Sequence, residues 1–170
     1  MSHAKNKVDW CLKKAQKEIE EGKKHRGLVK KEPDIEEAKR HLAKAEHNLS
    51  AVEYFNLGGF SDWSMSAVFY CIYHCFLAIA SKFGYESRNQ ECTIALIKNL
   101  KENNQIELDD KFIRSLETTN ESERQESNVI EKREFYAYGT STSAQKIELQ
   151  ESINLCKECL GQAKAIVFSA

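Results

Sequence analysis

Arg133, Tyr136 and Tyr138 are the residues of this chain best suited by type and spacing to hold an anionic ligand. A guanidinium grips phosphate through paired N–H donors, and a tyrosine ring stacks on a base or gives up a proton. They lie in Arg133-Glu-Phe-Tyr-Ala-Tyr138-Gly139, just ahead of the last helix-forming stretch. A competing reading of the same residues plugs Phe135 and Tyr136 into a core and pairs Arg133 with Glu131 or Glu134. His74 stands out among the histidines because Tyr73 and Cys75 flank it in an apolar run. Such a position suits a hydrogen-bonded core or interface histidine better than a functional one. His25, in a basic arm, and His41 and His47, six apart and so on different helix faces, are expected at the surface.

Several other chemistries fail on spacing. Di-iron bundles need Glu-x-x-His pairs, and no glutamate here has a histidine three residues later. The glycines are isolated or paired at helix ends, so no Gly-rich phosphate loop is present. Cys156 and Cys159 form the only Cys-x-x-Cys, without the second ligand pair of a structural zinc site or the strand-to-helix context of a redox site. Neither a metal nor a cofactor is therefore expected. Cys71 and Cys75, one turn apart, read as small core hydrophobes. Six cysteines with charges throughout positions 1–22 lead us to expect reduced thiols and a cytoplasmic protein. The most apolar stretch, 67–80, is too short to span a bilayer, so no membrane association is expected.

The elements that must position these residues are helical. With 170 residues, one proline and 41% hydrophobic content, the chain can bury a single core, and its Ala, Leu, Glu, Lys and Gln stretches favour helices. A first helix is expected over about 5–28. Asp34 and Glu37 are spaced to cap a second, whose stripe Ile35, Ala38, Leu42, Ala45, Leu49 and Val52 ends at Gly58-Gly59. A third, capped by Ser61 or Asp62 and stopped by Gly84, is apolar on most sides and belongs in the middle of a bundle. Shorter helices are expected at 89–100 and 108–116, and a final one carries Leu149, Ile153, Cys156, Leu160, Ala163 and Val167. Residues 117–127 read as an exposed loop or the start of a further helix.

The net charge of −1 lacks the overall basic excess of a dedicated nucleic-acid binder. Locally, residues 1–31 hold ten Lys/Arg against four acids, and residues 117–134 six acids against three bases. Both runs read first as solvated helix faces.

The stripe ending at Asn56-Leu-Gly-Gly-Phe60, the run Asp62-Trp-Ser-Met-Ser-Ala-Val-Phe-Tyr-Cys-Ile-Tyr-His74, and Arg133-Glu-Phe-Tyr-Ala-Tyr138 resemble the HEPN family. These are the helical domains associated with minimal nucleotidyltransferases and RNA-cleaving toxins of prokaryotes. The resemblance covers about 34–167. It implies an all-α, up-and-down helical bundle over 33–170, with residues 1–32 as an added basic N-terminal helical extension. Active members carry an arginine, four to six residues, then a histidine, and pair two such motifs across a homodimer. Arg133 matches the arginine, whereas Tyr138 stands where the histidine would be. A tyrosine of ordinary pKa is a poorer general base at neutral pH than histidine, which favours binding over cleavage. Arg40 and His47 also have the spacing but lie on the wrong helix.

The resemblance thus implies an RNA- or nucleotide-binding module, partner of a nucleotidyltransferase in a toxin-antitoxin-type system. Arg133, Tyr136, Tyr138 and His74 would line its site. A metal-independent endoribonuclease is the alternative, with Arg133 stabilising developing charge and Tyr138, or a histidine brought close by folding, handling the proton. A non-catalytic protein-interaction domain, with the basic and acidic runs as docking faces, is the third reading.

Overall fold

The computed structural model describes residues 2–117 and 128–170. Their chain order is α1 (His3–Glu20), β1 (Leu28–Lys30), α2 (Ile35–Leu57), α3 (Ser61–Lys82), β2 (Tyr85–Ser87), α4 (Gln90–Glu102), α5 (Asp110–Ser115), α6 (Val129–Tyr138) and α7 (Lys146–Phe168). The domain is all-α of the expected bundle type, with an N-terminal helix added. The reading of residues 117–127 falls, beyond Glu117, outside the described residues.

α3 occupies the middle. It packs against α2, α7, α6 and α4, because Met65, Val68, Ile72, Phe76 and Ile79 on one side and Phe69 and Ala80 on another are all buried. Small residues on α2, Ala38 and Ala45, let the two long helices approach closely, and the Ser64 hydroxyl donates to the Val52 carbonyl at 3.1 Å across their upper end. α3 is long and apolar enough to cross a membrane, contrary to the sequence reading, but 72% of that stretch is buried within the protein. A helix buried by its neighbours passes the same test of length and composition as a membrane span.

The caps explain most boundaries. Asp34 accepts from the Glu37 amide at 2.8 Å, as its spacing predicts, and Asn89 and Asn128 serve α4 and α6 in the same way. Ser61 does not cap α3. Its hydroxyl instead accepts from the Ala144 amide at 2.9 Å, fastening the segment that leads into α7. Lys82 donates to the carbonyls of Ile166 and Ser169, closing the carboxyl end of α7.

Two expectations about the N-terminal part need correction. The first helix ends at Glu20 rather than near Leu28, since Gly22 adopts a left-handed turn at φ +71° and the chain then enters β1. β1 pairs antiparallel with β2, Leu28 opposite Ser87 and Lys30 opposite Tyr85. Three-residue strands leave too little alternation to be read from sequence. The thiols are also not all free: Cys11 of α1 and Cys92 of α4 form a disulfide, their Cα atoms 5.9 Å apart. The packing of α1 on α4 brings together two cysteines 81 residues apart in the chain.

Gly84 is the position where the β1–β2 pair meets the bundle. Its φ is +77°, and a Cβ there would stand 2.5 Å from the Lys31 carbonyl oxygen. Gly84→Ala is expected to cost at least about 1–2 kcal/mol from the left-handed backbone alone, with the clash adding to it. Equilibrium urea unfolding checks this; an unchanged midpoint would contradict the close approach.

Candidate functional site

α6 turns three of its side chains to different surroundings. Arg133 points to α3, where its guanidinium carbon lies 4.4 Å from the centre of the Phe69 ring. Arg133 is half-buried and makes no ion pair among the described residues, so the pairing with Glu131 or Glu134 in the competing reading does not occur; of its two core plugs Tyr136 is buried and Phe135 is exposed. A cation over a ring face gains up to about 2 kcal/mol when partly desolvated, but the ring satisfies none of its N–H donors.

The Phe69 ring continues into an aromatic strip along α3. It meets Tyr70 edge to face at 5.0 Å between centroids and stacks on Tyr73 at 5.7 Å. Tyr73 in turn meets His74 edge on, and His74 meets His41 of α2. Tyr70 is 46% exposed and lies beside the platform that holds Arg133. Phe69, Tyr70 and His41 were not read from sequence as site residues. Phe69 looked like one more core position of an apolar helix, and only the arrival of α6 gives its ring a partner.

Tyr136 belongs to a different environment. It is buried, and its hydroxyl donates to Glu148 at 2.7 Å, with Lys132 3.5 Å from the other carboxylate oxygen. Burial and the adjacent Glu148 carboxylate push its phenol up from the ordinary value, so it stays protonated at neutral pH. The cavity beside it, about 730 Å³ between α6 and α7, is lined by Glu131, Glu148 and Glu151 against Lys132. Three acids to one base make it a poor place for phosphate. Tyr138 is 86% exposed at the end of α6. It lies about 140° around the helix from Arg133, so Tyr138 does not share a face with the arginine it follows. The structure therefore joins Arg133 to His74 through the strip, and leaves Tyr136 and Tyr138 apart from both.

Of the three histidines expected at the surface, His47 is exposed, whereas His25 and His41 are not. His25 is buried, its Nε2 2.9 Å from Glu86 of β2. His41 and His74 face each other, Nδ1 to Nδ1 at 3.0 Å, and Glu37 lies 3.5 Å from the far nitrogen of His41. Two nitrogens at this distance share one proton, so the pair cannot carry two. Burial, then His41 and Lys44, push His74 down to about 4, and burial lowers His41 against the opposing pull of Glu37.

The remaining thiols, Cys71 and Cys75 of α3 and Cys156 and Cys159 of α7, are buried and free, as core packing predicts for the first two. Contact with Cys159 and burial push Cys75 up, and contact with Cys71 and burial push Cys156 up, which argues against either acting as a thiolate nucleophile. Among the described residues no group of three or more His, Cys, Asp and Glu is placed to hold a metal ion.

The domain model of HEPN matches residues 38–167, a span from the first buried residue of α2 to the end of α7. The chain belongs to the HEPN family. No curated protein matches it. Within this HEPN domain the matched segment contains both ends of the aromatic strip, whereas α1 and β1 lie outside it.

The histidine pair makes stability depend on pH. Unfolded histidine titrates near 6.5, and the folded values are lower, so the contribution is complete above about pH 6.5 and is lost as pH falls toward 4. Urea midpoints are expected to fall between pH 7.5 and 5, and His74→Asn to flatten part of that fall. An identical pH dependence in the variant would show that the pair does not titrate this way.

Proposed function

We propose that this HEPN domain binds RNA or a nucleotide on the α3–α6 face, with Arg133 taking a phosphate and the exposed Tyr70 ring stacking on a base. The observation that supports it most is the Arg133 guanidinium, which lies on the Phe69 ring and makes no ion pair or side-chain hydrogen bond among the described residues. A fixed fork loses little entropy on closing over a phosphate. His74 lies further along the same strip and serves as a positioning residue there.

Two parts of the reading follow the family resemblance rather than the site. A second copy of the chain is expected to cover the exposed apolar residues at the junction of α2 and α3, namely Tyr54, Leu57, Phe60 and Trp63. A nucleotidyltransferase is the expected companion protein in a toxin-antitoxin-type system.

Cleavage is the second reading, favoured by one observation: His74 is neutral at pH 7 because of burial and its neighbours, as a general base must be. Tyr138 is the weaker candidate, given its place on another face of α6.

Arg133→Ala is expected to weaken binding of a short single-stranded RNA roughly 10- to 100-fold, the range for losing charge-assisted hydrogen bonds, with the thermal midpoint little changed. Arg133→Lys, which keeps the charge without the fork, is expected to recover part of it. Equal affinity of wild type and Arg133→Ala contradicts the assignment. RNA cleavage that disappears in both Arg133→Ala and His74→Ala, with both folded, favours the second reading.

A further inference from the structure

α1 buries Ala4, Val8, Cys11 and Ala15 against the body of the domain. Trp10, Lys13, Lys14 and Lys17 follow the steps i, i+3, i+4 and i+7 and form a stripe on the opposite side. Trp10 is 50% exposed, with the ammonium groups of Lys7 and Lys14 at 4.5 and 5.2 Å from its ring. The nearby acids are otherwise engaged. Asp9 is held by Lys5, Glu18 accepts from the Arg26 amide, Glu20 accepts from the Gln16 side chain, Glu21 pairs with Lys23, and Glu91 of α4 pairs with Lys7. Lys13, Lys14 and Lys17 form no ion pair among the described residues. Some of the basic run is thus the solvated, self-neutralised face expected from sequence, but this stripe is not.

We propose that the Trp10/Lys13/Lys14/Lys17 face of α1 is a binding surface for single-stranded nucleic acid, separate from Arg133 and outside the segment that matches the family model. The indole offers a base a stacking surface, which duplexes with stacked bases cannot use. A base arriving on the ring displaces the Lys14 ammonium, which then meets the adjoining phosphate, while Lys7 stays with Glu91. Three unpaired lysines within two helical turns follow the backbone on either side.

A basic helix bearing a tryptophan is also the pattern of a membrane-surface helix, which lays its apolar face into lipid. Here that face is already spent: Val8, Cys11 and Ala15 are buried, and the Cys11–Cys92 disulfide ties the helix to α4. Beyond Trp10, Ile19 is the one large apolar side chain α1 leaves exposed, and a single residue gives lipid no continuous apolar face, which favours nucleic acid.

The test is fluorescence anisotropy of a labelled 12-residue oligouridine RNA against salt concentration, using the full chain with its disulfide intact. Wild type is expected to bind, and Trp10→Ala to weaken binding roughly tenfold, while Trp10→Phe retains most of the affinity. The triple variant Lys13→Gln/Lys14→Gln/Lys17→Gln is expected to reduce the slope of log K against log salt by about 2, from roughly 0.7 per phosphate contact. Arg133→Ala should leave that difference in slope intact. If the α1 variants weaken binding and Arg133→Ala does not, the α1 surface stands and the Arg133 reading fails. If only Arg133→Ala weakens it, the α1 surface is wrong and the Arg133 reading stands. No RNA binding by wild type, or binding to phosphatidylserine vesicles in its place, overturns the proposal.

Discussion

The burial of α3 between α2, α4, α6 and α7 is the constraint on which the rest of the molecule depends. A helix of 22 residues that is apolar on most sides is stable in water only when other helices cover it. Each neighbour meets the cover requirement differently. α2 supplies a narrow stripe with alanines, which permits close approach. α7 supplies Leu149, Ile153, Cys156, Leu160 and Val167, and places its free thiols against those of α3. α6 is short, and beyond Val129, Ile130 and Tyr136 it contributes the stem and guanidinium of Arg133.

That last contact links packing to chemistry. A partly buried cation without a carboxylate is costly, and ring quadrupoles offset only part of the lost hydration. Where the contact were purely structural, an ion pair with a neighbouring glutamate would serve better, and α6 has Glu131 and Glu134 within a turn. Glu131 instead forms a capping box with Asn128 at the start of α6. The arginine lies on the Phe69 ring, its donors without an acceptor among the described residues, beside the exposed Tyr70. The cavity on the other side of α6, lined by Glu131, Glu148 and Glu151 against Lys132, has the opposite electrostatic character.

Much of this was legible in the sequence, for a physical reason. Long helices with heptad-like stripes and isolated glycine stops leave a periodic trace, so α2, α3 and α7 and the caps at Asp34 and Gly84 could be read directly. The segment around Arg133 stands out in the sequence by its composition, an arginine with two tyrosines before a glycine. What could not be read depends on which elements meet. Tyr136 and Tyr138 are close to Arg133 in the chain, yet helical rotation sends them elsewhere. His41 looked like a surface residue until α3 brought His74 against it, and His25 until β2 brought Glu86. Cys11 and Cys92 meet only because α1 folds back on α4, and the β1–β2 pair is too short to show alternation. Local periodicity records what a residue's own element does; a site is made by another element's arrival.

We propose the Arg133 guanidinium as a preset phosphate ligand rather than a packing residue. Side-chain nitrogen NMR of 15N-labelled protein tests it most directly, by following arginine Nε–Hε resonances during titration with a short single-stranded RNA. The resonance missing from the Arg133→Lys spectrum is expected to shift and saturate with bound RNA. If that resonance stays in place while RNA is bound, the guanidinium is a packing residue and the proposed site is wrong.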